Sequence, residues 1–377
     1  MKALIRLLFP IFLLLSPLVM RADGQNLKTN FVYDADFEMN FDNREFYKSA
    51  FSESMTIFGA RLTPSVGVEV VQSPEISHRI MLGVDVMRDF GSPAKLEDYF
   101  GEITLYYNMN RDFGKTQMSL YAGIFPRKLM SDRYSEAFFS DSLKFYDNNL
   151  VGLLLKFKRP KASFDLGCDW SGRIGNHVRE KFIIYSSGEG QIAPALYLGY
   201  AAYMYHFANS NQVSGVVDNV LINPWVKLDL SAFSGLQSLS FKLGWLQAMQ
   251  NDRKHIGIYT FPCGGELDLE VKNWNVGIRN NMYYGMDLMP YYNRLDSGDI
   301  KYGSSLYLGD PFYRVHESGG SHKAGVYDRF EVFWQPHICD FMSLRIGAFF
   351  HFNDFRYSGC QQVVRVDFNL GKMLKRK

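Results

Sequence analysis

Hydrophobic and polar residues alternate along the first well-patterned segment of the chain, from Phe31 to Asp42. Tyr33, Ala35, Phe37, Met39 and Phe41 fall on one side, and Asp34, Asp36, Glu38, Asn40 and Asp42 fall on the other. A β-strand points successive side chains to opposite faces, whereas a helix would scatter these carboxylates around its whole circumference. The pattern therefore predicts an amphipathic strand with one apolar face and one acidic face.

The same two-residue period returns almost to the end of the chain and predicts about sixteen strands. The strongest later candidates are Arg79–Asp89, Ser163–Trp170, Trp225–Leu230, Glu266–Val271, Ser343–His351 and Val363–Leu370. Weaker candidates are Thr56–Val71, Glu97–Asn110, Thr116–Phe125, Leu150–Lys158, Glu180–Ser186, Ala195–His206, Leu239–Leu246, Val276–Tyr284 and Tyr327–Trp334. The glycines Gly188 and Gly190 are expected to form a turn. No segment with a helical period of comparable strength interrupts the series.

The connections between these strands alternate between short and long, and the longest lie near residues 126–149 and 285–324. Alternating connection lengths are typical of an up-and-down membrane barrel. In lipid every backbone polar group has to be paired within the protein, so a sheet with an apolar outer face has to close. The sequence therefore predicts an all-β fold, a single closed antiparallel transmembrane β-barrel of about sixteen strands.

The main alternative is a water-soluble β-sandwich, in which the apolar faces form the core and the charged faces meet solvent. The chain has 377 residues. Single cores usually stop growing beyond about 250–300 residues, so a sandwich of this length should show a domain boundary. No Pro/Ser-rich linker or charge block marks such a boundary, and a single barrel is the better interpretation.

Residues 1–24 are predicted to be a signal peptide for export, and residues 25–377 to form the barrel. Lys2 and Arg6 lie at the start of the leader, and the apolar run Leu7–Met20 contains two prolines and is too short to span a bilayer as a helix. Ala22-Asp23-Gly24 then supplies small residues of the kind that signal peptidases recognise. The alternative for this segment is an N-terminal membrane anchor.

Composition and the absence of known motifs argue against several classes of function. Lys and Arg number 41 against 39 Asp and Glu, so the charge balance gives no argument for nucleic acid as a partner. The four cysteines are widely separated, and the sequence leaves open whether they form disulfides or remain free thiols. No G-x-S-x-G or HExxH motif occurs, and no His or Cys spacing suggests a metal site. We therefore expect no catalytic residues, no metal and no cofactor.

The leader, the amphipathic strands and the alternating connections together resemble the porin-like outer-membrane β-barrel families of Gram-negative bacteria. The resemblance extends over the whole exported chain but rests on architecture alone. It implies location in the outer membrane, with outer-membrane lipid, the barrel-assembly machinery and small hydrophilic solutes as partners. The function expected from it is passive diffusion of small hydrophilic solutes through a charge-lined lumen, without enzymatic activity.

Inward-facing charged residues are then candidates for the lumen lining, because a barrel of about sixteen strands leaves room for water. The candidates are Asp34, Asp36, Glu38, Lys227, Asp229, Glu266, Asp268, Glu270, Arg345, Arg365 and Asp367. In many porins the third outer loop folds inward, and the resemblance implies the same for the connection Pro126–Asn149. The predicted constriction residues there are Arg127, Lys128, Asp132, Arg133, Glu136, Asp141 and Asp147.

Two other functions remain open from the sequence. A plugged barrel would serve as a surface receptor or as a subunit of an envelope complex, and a composite site on the rim would make the barrel an enzyme. For the connection 285–324, packing of its tyrosines and prolines on the barrel mouth is favoured over a plug or a carbohydrate-binding surface. The sequence fixes neither the solute nor the oligomeric state.

Overall fold

The computed structural model describes residues 27–92, 100–176, 178–294, 302–316 and 323–374. The predicted signal peptide lies outside these ranges. The strands are β1 (Lys28–Phe46), β2 (Met55–Ser73), β3 (Ile76–Asp89), β4 (Phe100–Asp112), β5 (Gln117–Pro126), β6 (Asn149–Arg159), β7 (Ala162–Gly172), β8 (Lys181–Ala193), β9 (Leu196–Phe207), β10 (Val217–Asp229), β11 (Ser238–Asp252), β12 (Cys263–Asn273), β13 (Val276–Gly285), β14 (Gly325–Trp334), β15 (His337–Cys339), β16 (Met342–Asn353) and β17 (Arg356–Asn369).

These strands form one closed antiparallel sheet. Each strand pairs with its neighbours in the chain, and β1 pairs both with β2 and with β17, which closes the ring. The three-residue β15 pairs only with β16, while β14 passes it and also pairs with β16. The wall therefore has sixteen strands, and the predicted up-and-down barrel is confirmed.

The two faces of the wall differ as the alternation requires. On β10 the side chains of Asn219 and Asn223 are buried inside the barrel, whereas Ile222 and Leu228 are exposed on its outer surface. β1 follows the same rule, with Phe31 and Tyr33 outside and Asp42 inside. An exposed apolar band with a polar interior is the arrangement of a barrel that is surrounded by lipid.

The connections divide the barrel into a short-turn end and a long-loop end. Residues 74–75, 160–161, 194–195 and 274–275 are two-residue turns at the first end, and residues 127–148 and 286–324 are the longest connections at the second. The turns Trp274-Asn275 and Asp354-Phe355 have positive φ at both residues, as tight hairpin turns of type I′ require. Among the described strands, only β16 and β17 are joined at the long-loop end by so short a connection, Asp354-Phe355.

The predicted turn at Gly188 and Gly190 is wrong, because both residues lie within β8. The glycines serve packing there. A Cβ at Gly188 would lie 2.9 Å from the ring of Tyr200 on the neighbouring strand β9. Glycine inside a strand can mark such a close approach as well as a turn, and alternation alone does not distinguish the two.

Helices are short. They are α1 (Asp141–Tyr146), α2 (Ser231–Ser234) and α3 (Leu370–Leu374), with three 3₁₀ turns at Arg127–Leu129, Gly303–Leu306 and Pro311–Arg314. No helix within the described ranges is long and apolar enough to cross a membrane. All four cysteines lie in described strands, and all four are free thiols.

Two long connections fold into the barrel. We call residues 127–148 the first inner loop, and residues 286–294 and 302–316 together the second inner loop. Their side chains form one buried aromatic cluster with the inner face of the wall, including Phe138 against Tyr203 of β9 and Phe312 against Tyr327 of β14. The interior at the long-loop end is thus filled by protein, and this arrangement creates the cavity described next.

Candidate functional site

Ion pairs hold the beginning of the first inner loop to opposite parts of the wall. Arg127 lies 3.5 Å from Asp169 of β7, and Arg133 lies 3.2 Å from Asp165 of the same strand. Lys128 pairs with Asp36 of β1. Since β1 and β7 are far apart around the ring, these contacts carry the loop across the lumen.

The middle of this loop is held by arginines from the last strands. Arg329 of β14 lies 3.2 Å from Glu136 and 2.9 Å from Asp141, and Arg365 of β17 lies 2.9 Å from Asp141. Burial alone would raise the pKa of Glu136, but Lys144 and Arg329 outweigh it and lower that pKa to about 2. Burial would also raise the pKa of Asp141, but Arg365 and Arg329 hold that pKa well below its ordinary value. Both carboxylates therefore stay charged at neutral pH and fix the loop electrostatically.

The second inner loop is held mainly by hydrogen bonds. The hydroxyl of Tyr313 donates to Glu266 of β12 at 2.9 Å, and the amide of Asn219 on β10 donates to the carbonyl of Leu306 at 2.6 Å. The two inner loops also bind each other, because the backbone N–H of Asp310 donates to the carbonyl of Glu136 at 2.8 Å. They form one packed unit inside the barrel.

A cavity of about 380 Å³ lies between the two inner loops and strands β1 and β17. We call it the loop cavity. Its charged lining residues are Asp42, Arg44, Asp141, Asp310, Arg329 and Arg365. Its apolar and aromatic lining residues include Phe46, Phe51, Leu143, Tyr292, Leu308 and Phe312. The lining of the cavity thus combines several fixed charges with apolar side chains that could contact a hydrocarbon chain.

Asp310 is the most distinctive acid in this lining. It is the N-cap of the 3₁₀ turn Pro311–Arg314, and its Oδ1 accepts the N–H of Phe312 at 3.0 Å. Burial raises the pKa of Asp310 to about 6, although the Phe312 N–H and the charge of Arg329 act in the opposite direction. A carboxyl group with a pKa close to neutral is suited to take up and release a proton.

Asp42 and Arg44 face the cavity from β1. The guanidinium of Arg44 donates from Nε to Asp42 at 2.8 Å and from a terminal nitrogen to the Ser142 hydroxyl at 2.7 Å. The amide of Gln361 on β17 donates to Asp42 from the other side. These bonds connect the wall to the helix α1 of the first inner loop and set the position of a positive charge in the cavity.

The residues predicted from the sequence lie mostly elsewhere. All eleven predicted lumen residues are on inward-facing positions of their strands, but only Arg365 lines the loop cavity. Several others line a cavity of about 1030 Å³ at the short-turn end, among them Asp34, Asp36, Glu38, Glu270 and Asp367. Of the seven predicted loop residues, six form ion pairs, and Asp132 lines a further cavity beside the same loop.

Sequence reasoning missed Arg44, Asp310, Arg329 and Gln361. Arg44 lies just beyond the predicted strand Phe31–Asp42, and Arg329 lies on one of the weaker strand candidates, Tyr327–Trp334. Asp310 carries a local signal, since an Asp before Pro is a common cap, but such a signal does not indicate a cavity. Among the described residues, no group of three or more His, Cys, Asp or Glu could hold a metal ion.

Comparison with known proteins gives a family and a fold. The model of the family described as "Lipid A 3'-O-deacylase-type" matches residues 33–292, more than half of the chain. The matched part begins in β1 and ends in the second inner loop, so it contains Asp42, Arg44 and Asp141. No curated protein sequence matches the chain.

Solved structures show the same architecture. OmpT, an outer membrane protein of Vibrio cholerae, folded in vitro, superposes with a TM-score of 0.51 at 8% identity, covering 92% of this chain and 99% of that one. A loop L8 deletion mutant of OmpT gives a TM-score of 0.52 at 9% identity, covering 90% and 99%. At these identities the likeness concerns the fold alone, and it confirms that the chain resembles outer-membrane barrels.

Proposed function

The chain belongs to the lipid A 3'-O-deacylase-type family, and we propose that it is an outer-membrane hydrolase that removes an ester-linked acyl chain from a lipid A-type glycolipid. In this proposal the long-loop end faces the outside of the cell, as in other outer-membrane barrels, and the loop cavity is the active site.

The expectation of a porin-like channel without enzymatic activity is wrong. It is overturned by the family match, because the family is named for an enzyme. The physical reason for the error is that alternation reports the two faces of a barrel wall and says nothing about what fills the interior. Here both inner loops pack into the lumen at the long-loop end, and the described part of the second does so instead of packing on the barrel mouth, as the sequence favours.

The composition of the loop cavity is the observation that carries the proposal. An acyl ester of a phosphorylated sugar has a long hydrocarbon part next to a polar head. The hydrocarbon part could contact the apolar side chains of Phe46, Phe51 and Phe312. The polar head could contact the positive charges of Arg44 and Arg329. Small-molecule pockets usually join apolar surface to a few placed polar groups, and this cavity has both, with more charged groups than most.

Ester hydrolysis in this site needs a base and a positive charge beside the reacting carbonyl. The carboxylate of Asp310 takes a proton from a water molecule, and the resulting hydroxide attacks the ester carbonyl carbon. The negative charge that develops on the carbonyl oxygen is stabilised by Arg44. The bond to the sugar oxygen then breaks, and this oxygen receives the proton from Asp310. The products are a free fatty acid and the sugar hydroxyl.

The direct test is release of fatty acid from a lipid A-type glycolipid by the purified barrel, followed by mass spectrometry. We expect release by the unchanged protein and a loss of at least about 100-fold in kcat for Asp310→Asn, a typical contribution of a general base. The asparagine oxygen still accepts the N–H of Phe312, so the 3₁₀ turn stays capped.

Asp287→Asn is the matched control. Asp287 lies in the same loop and its Oδ1 accepts the N–H of Met289 at 2.7 Å in a similar turn, but it does not line the loop cavity. We expect this variant to retain the full rate. Absence of fatty acid release by the unchanged protein, or equal rates for the two variants, would contradict the proposed function.

A further inference from the structure

The strands beside the loop cavity have a very short connection at the long-loop end. β16 and β17 are joined by the two-residue turn Asp354-Phe355, while the neighbouring connection, residues 47–54, contributes Tyr47. Tyr47 is 82% exposed and Phe355 is 81% exposed. Exposed aromatic side chains at the end of a membrane barrel typically lie at the level of the lipid headgroups. This part of the rim is therefore placed where headgroups would be.

A second cavity, of about 500 Å³, opens at the same place, and we call it the rim site. Its polar lining residues are Ser49, His316, Asn353, Asp354, Arg356 and Ser358. Tyr47 and Val315 complete one side of it. Tyr47 directly follows Phe46 in the chain, and Val315 is three residues after Phe312. Both phenylalanines line the loop cavity. The two cavities are thus adjacent.

The one carboxylate that lines the rim site, that of Asp354, already has partners within the protein. Asp354 accepts the backbone N–H of Val326 at 3.0 Å, and its other oxygen lies 3.6 Å from Nδ1 of His316. The ring of His316 is held in turn by the carbonyl of Lys323 at 3.0 Å. The acid therefore serves to fix the hairpin and the end of the second inner loop.

Two hydrogen-bond donors of the rim site, the amide of Asn353 and the guanidinium of Arg356, have no acceptor among the described residues. The hydroxyl of Ser358 donates to Oδ1 of Asn353 at 2.9 Å, and the amide nitrogen Nδ2 of Asn353 is buried without an acceptor in the structure. Arg356 is directly opposite Asn353 in the β16–β17 ladder, and no described residue forms an ion pair or hydrogen bond with its guanidinium. A buried donor without an acceptor is costly, and this applies to the amide of Asn353. With the exposed guanidinium of Arg356 beside it, this amide points to a ligand with several acceptor oxygens.

We propose that the rim site binds a phosphate group carried by the headgroup of an outer-leaflet glycolipid. A guanidinium beside an amide donor matches the oxygens of a phosphate, and Lys48, which follows Tyr47, adds positive charge at the same edge. A neutral sugar would satisfy the amide but would leave the charge of Arg356 uncompensated. This inference rests in part on the proposed function: a phosphate held here would place the acyl esters of the same molecule next to the loop cavity.

The experiment is a binding measurement that does not depend on turnover. The protein carries Asp310→Asn, so that no substrate is consumed, and is titrated in detergent with phosphorylated lipid A-type glycolipid, with the same glycolipid after phosphatase treatment, and with inorganic phosphate. We expect the phosphorylated glycolipid to bind at least about tenfold more tightly than the dephosphorylated one, as one charged hydrogen-bonded contact predicts. Competition by inorganic phosphate at millimolar concentration is expected if the phosphate itself is recognised.

Two variants locate the site. Arg356→Met and Asn353→Asp should each remove most of this preference for phosphate and leave binding of the dephosphorylated glycolipid unchanged. Arg253→Met is the control, since Arg253 is an exposed arginine at the same end of the barrel that is paired with Asp218. Equal affinity for the two glycolipids, or an unchanged preference in both rim variants, would overturn the inference. Because hydrolysis is not measured, a barrel that binds phosphate here but releases no fatty acid would refute only the proposed reaction.

Discussion

The amide Nε2 of Gln361 donates to both carboxylate oxygens of Asp42, at 3.1 and 3.2 Å. Its Oε1 lies 2.8 Å from Nε2 of His351, and Nδ1 of His351 lies 3.0 Å from the hydroxyl of Tyr327. Since an amide oxygen only accepts, this arrangement places the proton of His351 on Nε2 and makes Tyr327 the donor to Nδ1. A chain of buried hydrogen bonds thus fixes Asp42 at the edge of the loop cavity.

Replacing Gln361 should break this chain at its centre. Gln361→Met keeps the length of the side chain but leaves the N–H of His351 and one side of Asp42 unsatisfied, at a cost of about 1–3 kcal/mol. Urea unfolding of the barrel in detergent measures the loss. Gln362→Met is the control, because Gln362 faces the outside of the wall, and a smaller loss is expected there. Equal losses would show that the chain contributes nothing specific.

Arg329 should be the main anchor of the first inner loop. It pairs with both Glu136 and Asp141, and its guanidinium lies 4.3 Å from the ring centre of Phe349. Arg329→Met removes the guanidinium that Glu136 and Asp141 share and leaves them only Lys144 and Arg365 as partners. Removing one member of a buried pair costs about 3–5 kcal/mol, which is the upper limit of the loss expected here. We expect unfolding at lower urea concentration and faster proteolysis within residues 127–148. Arg365→Met, which removes the more exposed partner of Asp141, should have a smaller effect on both measurements.

Acid should release the first inner loop. Lys144 and Arg329 lower the pKa of Glu136 to about 2, against an ordinary value of 4.5, despite the opposing effect of burial. A lowered folded-state pKa contributes stability that is complete above the ordinary value and is lost as the pH falls through the folded value. Proteolysis of the loop by an acid-active protease should therefore rise between about pH 4.5 and about pH 2. In Glu136→Gln this rise should be smaller, and an identical pH profile would contradict the assignment.

The sequence predicts the wall of this barrel far better than its interior. Periodicity places the first strand at Phe31–Asp42, inside the observed Lys28–Phe46, because every second residue reports which face meets lipid. The loop cavity has no such local signal. Arg44, Asp310 and Gln361 come from three distant parts of the chain, and they meet only because β1 pairs with β17 and the second inner loop turns inward. Contacts of this kind depend on closure of the sheet, which no short stretch of sequence encodes.

The depth of a residue in the wall should set the cost of a charge on the outer face. Ile222 is near the middle of β10, whereas Leu228 is next to its last residue at the short-turn end. Arginine costs about 2–4 kcal/mol at the bilayer midplane and about 0–1 kcal/mol near the interfaces. Ile222→Arg should thus destabilise the folded barrel in lipid vesicles more than Leu228→Arg does. Equal effects would mean that this face of β10 does not meet lipid.

The pH dependence of hydrolysis should follow Asp310. Burial raises the pKa of this carboxyl to about 6, and only its charged form accepts a proton from water. We therefore expect kcat/KM for fatty acid release to rise about tenfold per pH unit below pH 6 and to level off above it, because the fraction of charged Asp310 sets the rate. The positive charge of Arg329 lowers the pKa of Asp310 against the effect of burial, so Arg329→Met should move the midpoint of the pH profile to higher pH. Gln361→Met, which changes no charge near Asp310, should leave the midpoint where it is. A rate that is flat between pH 5 and pH 7, or a midpoint unaffected by Arg329→Met, would mean that another group supplies the base.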